Sequence, residues 1–268
     1  MLVRVKDFEE FISKCADKKV GDFDGVILPE RKEGSEGQFF RKYREGSEHA
    51  AALTSFRTFG PLRGLFYFHR EQVFPFDGND TRRILLGVKA CDLRALHVLD
   101  KALVNDDFVD PAYRDWRENT LLVGADCEEA ADTCHCVLVD GKPYIEAGVD
   151  VNVSSVDGSY YLEAFTEKGE DFLTLLKSET ETEEASEPVK EDVRKNRKRI
   201  VEILESQNRE YVSEKKQYDK LRKTEGDKWV EDQADCVGCG GCTNVCPTCY
   251  CLILNDESEQ ERFVKVRS

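Results

Sequence analysis

Eleven cysteines stand in 268 residues, and six of them fall within residues 234–253, ADCVGCGGCTNVCPTCYCLI. They are Cys236, Cys239, Cys242, Cys246, Cys249 and Cys251. The run Cys236-x-x-Cys239-x-x-Cys242-x-x-x-Cys246-Pro247 has the spacing with which bacterial-type ferredoxins bind a [4Fe–4S] cubane through thiolates. Three cysteines three apart wrap a tight turn round one face of such a cube. Gly238, Gly240 and Gly241 permit positive backbone angles there and free amide N–H groups to point at sulfur. Zinc is a poor rival at this spacing. Six thiols fit neither the four of one cubane nor the eight of two. In two-cluster ferredoxins the cysteine before proline serves the other cluster, so the ligand that closes the cube is open among Cys246, Cys249 and Cys251.

A second set is dispersed: Cys91, Cys127, Cys134 and Cys136. What positions them is an αβ rhythm. Residues 84–88 (ILLGV) and 120–124 (TLLVG) are short apolar runs typical of strands buried on both faces, and 92–104 has helical period. Strand, helix, strand at this spacing is a βαβ unit, so the two strands should run parallel. Cys91 and Cys127 each stand three residues beyond one of these strands, which puts them on one rim, where ligands of parallel sheets bind. Cys134 and Cys136 follow in a loop (DCEEAADTCHCV) long enough to fold over that rim, and four thiolates would satisfy a cubane. Cys91 alone reads equally as a core thiol. A four-cysteine zinc site is the chemical rival for the set, although no C-x-x-C knuckle is present. Asp92 and Asp126 are candidate caps or acceptors beside the ligands, and His135 is a candidate hydrogen-bond donor to sulfur.

Residues 65–68 are expected to form a further strand. Beyond 137 the pattern becomes antiparallel, with strands at 137–139 and 160–162 and turns at Asp140-Gly141 and Asp157-Gly158. Residues 177–192, KSETETEEASEPVKED, read as an acidic linker. A charged helix then starts near Pro188, with Val193, Ile200, Leu204 and Tyr211 as a narrow stripe clamped on a neighbouring surface. The expected organisation is an α/β domain over 1–176, a linker over 177–192, and a charged helix plus cluster-binding segment over 193–268. In fold class this is α/β (α+β overall): a mixed sheet with a parallel βαβ unit, then the charged helix and a small ferredoxin-like iron–sulfur tail.

Composition narrows the function. A hydrophobic content of 40% with 10% aromatic residues belongs to a globular chain. Fifty-four acidic against 39 basic residues, a net charge of −15, speak against nucleic acid and anionic membranes as partners. No apolar run reaches the length of a membrane span, and the charged N-terminus lacks a signal-peptide core, so a cytoplasmic location is expected. A reducing compartment favours metal ligation over disulfides. There is no G-x-G-x-x-G, no P-loop, no hydrolytic grouping and no C-x-x-x-C-x-x-C radical signature. What remains is redox chemistry without substrate chemistry of its own, or, as the alternative, a non-redox docking subunit stabilised by zinc.

Taken together, LLGVKACDLRALHVLDKAL, FVDPAYRDWRENTLLVGADC, DTCHC and CVGCGGCTNVCPTCYC resemble the iron–sulfur electron-transfer subunits of two enzymes. One enzyme is the cytoplasmic [NiFe] sulfhydrogenase, through its beta subunit, and the other is anaerobic sulfite reductase, through its iron–sulfur electron-transfer component. GPLRGLFYFHREQVFPFD is similar to the family's N-terminal strand region, so the resemblance covers roughly residues 55–253. It implies a non-catalytic electron conduit in a hetero-oligomer, between a flavin- and NAD(P)-binding partner and a catalytic partner such as a hydrogenase or sulfite reductase. It also implies two [4Fe–4S] clusters, one on Cys91, Cys127, Cys134 and Cys136 and one on Cys236, Cys239, Cys242 and Cys246. The family's second ferredoxin motif is not found here, so either another chain supplies it, in which case a third cluster would be shared with that partner, or this form holds a single tail cluster.

Overall fold

The computed structural model describes residues 2–31, 37–44, 53–68, 70–105, 107–211, 222–250, 253–259 and 262–267. From the N-terminus these form β1 (Leu2–Val5), α1 (Phe8–Ala16), β2 (Gly25–Arg31) and β3 (Gln38–Lys42). A 3-10 turn at Leu62–Leu65 leads to β4 (Glu71–Phe74), β5 (Arg83–Val88), α2 (Ala90–Leu103), α3 (Pro111–Glu118) and β6 (Thr120–Ala125). After a second 3-10 turn, Cys136–Val139, come β7 (Val151–Val156), β8 (Ser159–Ala164), α4 (Glu167–Glu179), β9 (Thr182–Glu184) and α5 (Glu187–Gln207). The tail holds α6 (Gly226–Asp232), α7 (Gly241–Val245), β10 (Leu254–Glu259) and β11 (Arg262–Arg267).

Eight strands make one sheet in the order β3-β2-β5-β6-β7-β8-β1-β9. Its centre is parallel: β2 pairs with β5, β5 with β6 and β6 with β7, while both flanks are antiparallel. Every residue of β5 and β6 is buried, because both faces are covered. Ile84, Leu86, Leu121 and Val123 point into one core with Phe8 and Phe11 of α1 and Phe172, Leu173 and Leu176 of α4. Leu85 and Leu122, offset by one residue, enter the opposite core with Leu93, Leu96, Leu99 and Leu103 of α2. Truncating any of these leucines to alanine costs about 2–5 kcal/mol, the transfer term plus a cavity. Cys15 is fully buried in the first core.

The βαβ unit thus stands where the apolar runs put it, and α2 starts only two residues before the expected helix. The Asp157-Gly158 turn is also found, with both residues at positive φ (49° and 73°) between β7 and β8. Three expectations are corrected. Residues 65–68 are not a strand: Leu65 ends the 3-10 turn, and Phe66 and Tyr67 plug the core beneath α2 instead of pairing. Residues 137–139 are also not a strand, since they lie in the Cys136–Val139 3-10 turn that Asp140 closes in the left-handed region. Short apolar runs carry no period that separates a strand from a packed turn. The acidic stretch 177–192 is built into the fold, because Thr182–Glu184 pairs with β1 and adds an edge to the sheet. Its charges suit an exposed edge strand, which repels further pairing.

Helix α5 follows the expected pattern, with proline in its first turn and Val193, Ile200 and Leu204 buried. It packs on β7 and on the 3-10 turn at Cys136–Val139. Tyr211 lies past its end and is exposed, so the stripe stops at Leu204. The tail strands are tied back to the sheet's helical layer. β11 pairs antiparallel with β4, and the buried guanidinium of Arg267 forms ion pairs with Glu71 and Asp110 while covering the Tyr67 ring at 4.0 Å.

Candidate metal centre

The carboxyl ends of β5 and β6 lie side by side, as Leu86 opposite Val123 and Val88 opposite Gly124. Gly87, at φ +83°, makes the bulge between these pairs, and a Cβ there would meet Pro29 at 2.7 Å. The strand then ends in extended Lys89, and α2 opens at once, so Cys91 falls in the helix's first turn. On the neighbouring strand Asp126 and Cys127 follow Ala125, and the Cys127 N–H donates to Pro143 O at 2.8 Å. The loop after Cys127 folds back over this edge. Gln207 and Asn208, at the end of α5, hold it by donating to Cys134 O at 2.8 and 2.9 Å. Gly141 N donates to Cys136 O at 2.8 Å and closes the turn that carries Cys136.

The outcome is a cavity of about 490 Å³ whose lining includes Cys91, Cys127, Cys134 and Cys136. All four are partly exposed, as groups facing a cavity must be. Burial pushes the Cys127 thiol up to about 12, opposed by Lys89 and reinforced by Cys134 and Cys136. Burial also raises Cys91, helped by Asp92 and Cys127, and raises Cys136, helped by Cys134. Cys91, Cys127 and Cys136 are therefore each close enough to another thiol for its negative charge to disfavour their own. Loading a cation on such a set must expel protons.

One cation is buried beside them. Lys89 Nζ donates to Leu53 O at 2.7 Å and Ala125 O at 3.4 Å, and desolvation lowers its pKa against the pull of Cys127 and Asp126. Asp126 accepts from Ser154 Oγ and Arg197 Nε, both at 2.7 Å, and from Asn152 Nδ2 at 2.9 Å, which makes it a brace between β6, β7 and α5. Asp92 is not a helix cap. It sits within the first turn of α2 with Oδ2 unpartnered, and burial raises it to about 6 against Arg57 and Lys89. His135 also lines the cavity, with Nδ1 2.9 Å from Thr133 O. Residue types and spacing did not single out Lys89 or Arg197. The signal for Lys89 was available: a lysine between a fully apolar strand and a cysteine has no solvated position to occupy.

In the tail, Cys236, Cys239 and Cys242 lie on an exposed turn with Gly238 and Gly240 at φ 68° and 69°. Gly241 does not share that conformation and opens α7. The structure separates Cys246 from this triplet in environment. Cys246, Pro247 and Thr248 line the same cavity as Cys91, Cys127, Cys134 and Cys136. Hydrogen bonds from the Thr248 hydroxyl and the Cys249 thiol lower Cys246 to about 7. Cys251 lies outside the described residues. Among the described residues no three of His, Cys, Asp and Glu are grouped closely enough to share one metal ion.

No protein-family model matches the chain. The chain is 27% identical over 197 residues to sulfhydrogenase 2 subunit beta of Pyrococcus furiosus, a match that covers 73% of this chain. It covers 56% of the relative, so the chain spans about half the length of the curated protein it matches. At this distance the likeness holds at the level of the family alone: what the chain is similar to is the sulfhydrogenase beta subunit.

Proposed function

We propose that the chain is an electron-transfer subunit of a hydrogenase-type oxidoreductase complex and holds [4Fe–4S] clusters at its two cysteine groups. The observation that carries the reading is the cavity at the ends of β5 and β6, lined by four cysteines that chain positions 91 to 136 bring to one edge. A zinc ion needs its four donors in one tight tetrahedron, at about 2.3 Å from the metal for sulfur. A cavity of about 490 Å³ suits a bulkier inorganic group. A cubane bound there would take up and release one electron at a time.

The chain's own groups fit that task. Thiolates of Cys91, Cys127, Cys134 and Cys136 would hold the first cluster, and Cys236, Cys239, Cys242 and one of Cys246, Cys249 or Cys251 the second. The Lys89 ammonium, buried against Ala125 O, offsets the negative charge that deprotonated thiolates gather at the edge. Asp126, braced by Arg197, keeps the Cys127 backbone in place without adding an unpaired charge. Partners are read from the family likeness alone: a flavin- or NAD(P)-binding subunit on one side and a catalytic redox subunit on the other. No described helix is long and apolar enough to cross a membrane.

Iron and acid-labile sulfide, assayed on anaerobically purified chain, test the reading. Close to eight irons per chain with electron paramagnetic resonance of reduced cubanes is the expected result. Fewer than about four irons, or zinc without sulfide, would sink it and leave a zinc-stabilised docking subunit.

A further inference from the structure

Cys246 and the strand-end cysteines are far apart in sequence but line one cavity, and a single side chain, outside that cavity, holds the segment that ends at Cys246. Arg63 lies in the Leu62–Leu65 turn. Its Nε donates to Cys246 O at 3.0 Å, and its Nη2 donates to Thr243 O at 3.1 Å and Asn244 O at 3.2 Å. These carbonyls end the five-residue helix α7 and begin the turn after it. Most of them have no helical donor of their own, and a guanidinium at a helix C-terminus satisfies them with charge-assisted bonds.

The base of Arg63 is rigid. Leu62 on one side is buried in the core that α2 covers, with Phe66 and Tyr67 close by, and the turn packs directly on α2. α2 carries Cys91 in its first turn. A chain of fixed contacts therefore runs from Cys91 through α2 and Leu62 to Arg63 and then to Cys246. Among the described residues the tail is fastened again beyond the cysteines, where β11 pairs with β4. Between these points the triplet turn is exposed and has no comparable anchor among the described residues.

We propose that Arg63 is a positioning residue that binds the Thr243, Asn244 and Cys246 carbonyls and so fixes the ferredoxin-type run against the strand-end cysteines. The inference rests on the reading that both cysteine groups hold clusters, and it adds the device that sets their separation. Electron tunnelling falls steeply with distance, so a wire of two centres needs such a device. Arg63 touches no ligand sulfur and acts only through the backbone it holds.

The test uses the full chain with R63Q and R63K, and with R70Q as control, because Arg70 pairs with Glu257 on an exposed part of the same tail. Three quantities are read: iron per chain after anaerobic reconstitution, the magnetic interaction between the two reduced centres, and hydrogen exchange of residues 241–248 before reconstitution. R63Q is expected to keep the parental iron content, lose the interaction signal, and exchange 241–248 about tenfold faster, as the loss of charge-assisted hydrogen bonds implies. R63K should restore part of the interaction, and R70Q should match the parent. A parental interaction signal in R63Q overturns the proposal whatever the exchange shows, and so does a parent whose two reduced centres do not interact. If the parent takes up no iron, the electron-transfer reading falls separately and exchange alone decides: faster in R63Q supports the anchor, parental overturns it.

Discussion

Arg197 Nε donates to Asp126 Oδ2 across 2.7 Å, joining charged helix α5 to the strand end that carries Cys127. Arg197 also stands over the Tyr144 ring at 4.9 Å, and Asp126 is 8% exposed against 22% for its partner. Cutting one partner from a fully buried pair costs about 3–5 kcal/mol. Asp126 keeps the Ser154 and Asn152 donors, so Arg197→Ala should cost about 2–3 kcal/mol. Urea unfolding of the metal-free chain measures it, and a loss below about 0.5 kcal/mol, the size of an exposed pair, would contradict the bracing role.

Thiol reactivity should split the cysteines by environment. A thiolate is the nucleophile, and Cys246 is lowered to about 7 by Thr248 and Cys249 while burial pushes Cys127 up to about 12 and raises Cys91. In metal-free chain, iodoacetamide labelling of Cys246 should therefore rise through half its maximum near pH 7. Cys91 and Cys127 should resist until the chain unfolds. Peptide mass spectrometry across a pH series reads the order, and equal rates at all three would refute it.

Gly141 has room for nothing larger. A Cβ there would lie 2.7 Å from Arg94 Nη1, which can swing aside, and 2.9 Å from Cys136 O, which cannot. Gly141→Ala should push the Cys136 turn outward, strain the Gly141 N–Cys136 O bond, and destabilise by about 1–3 kcal/mol. Reconstituted Gly141→Ala should also retain less iron than the parent under a chelator. Parental iron retention would mean that the turn's position is not needed.

Asp100 accepts both Arg117 nitrogens at 2.8 Å and the Tyr113 hydroxyl at 2.7 Å. Burial alone would raise its carboxyl, but the Arg117 hydrogen bonds and charge outweigh it and hold the pKa below 3.8. The stability this supplies is complete above the unfolded value near 3.8 and disappears as pH falls through the lower folded one. Asp100→Asn should thus cost about 1–3 kcal/mol at pH 6. The gap to the parent should close below pH 4, which denaturant titrations of metal-free chain at several pH values can follow.

Local pattern carries much of this fold because its causes are local. An apolar run with no polar face, at 84–88 and again at 120–124, requires cover on both sides, and a helix of period 3.6 between two such strands supplies it. Cys91 and Cys127 reach one edge by that logic alone. Runs of three or four apolar residues carry less. Leu65 to Phe68 and Val137 to Val139 look like strands, yet both are turns: Phe66 and Tyr67 are buried in a core without a ladder partner, and Val137 to Val139 lie half-buried in a 3-10 turn against α5.

What the amino-acid sequence determines by itself is therefore the parallel unit, the edge on which Cys91 and Cys127 meet, and the glycine-rich turn that carries Cys236, Cys239 and Cys242. Only the tertiary structure decides where Cys246 stands. Its neighbours in the chain associate it with Cys236, Cys239 and Cys242, whereas Arg63, 183 positions away, holds its carbonyl at the wall of the other cysteine group. Spacing is a property of a few adjacent residues. A hydrogen bond between distant segments exists only after the core beneath Leu62 has packed.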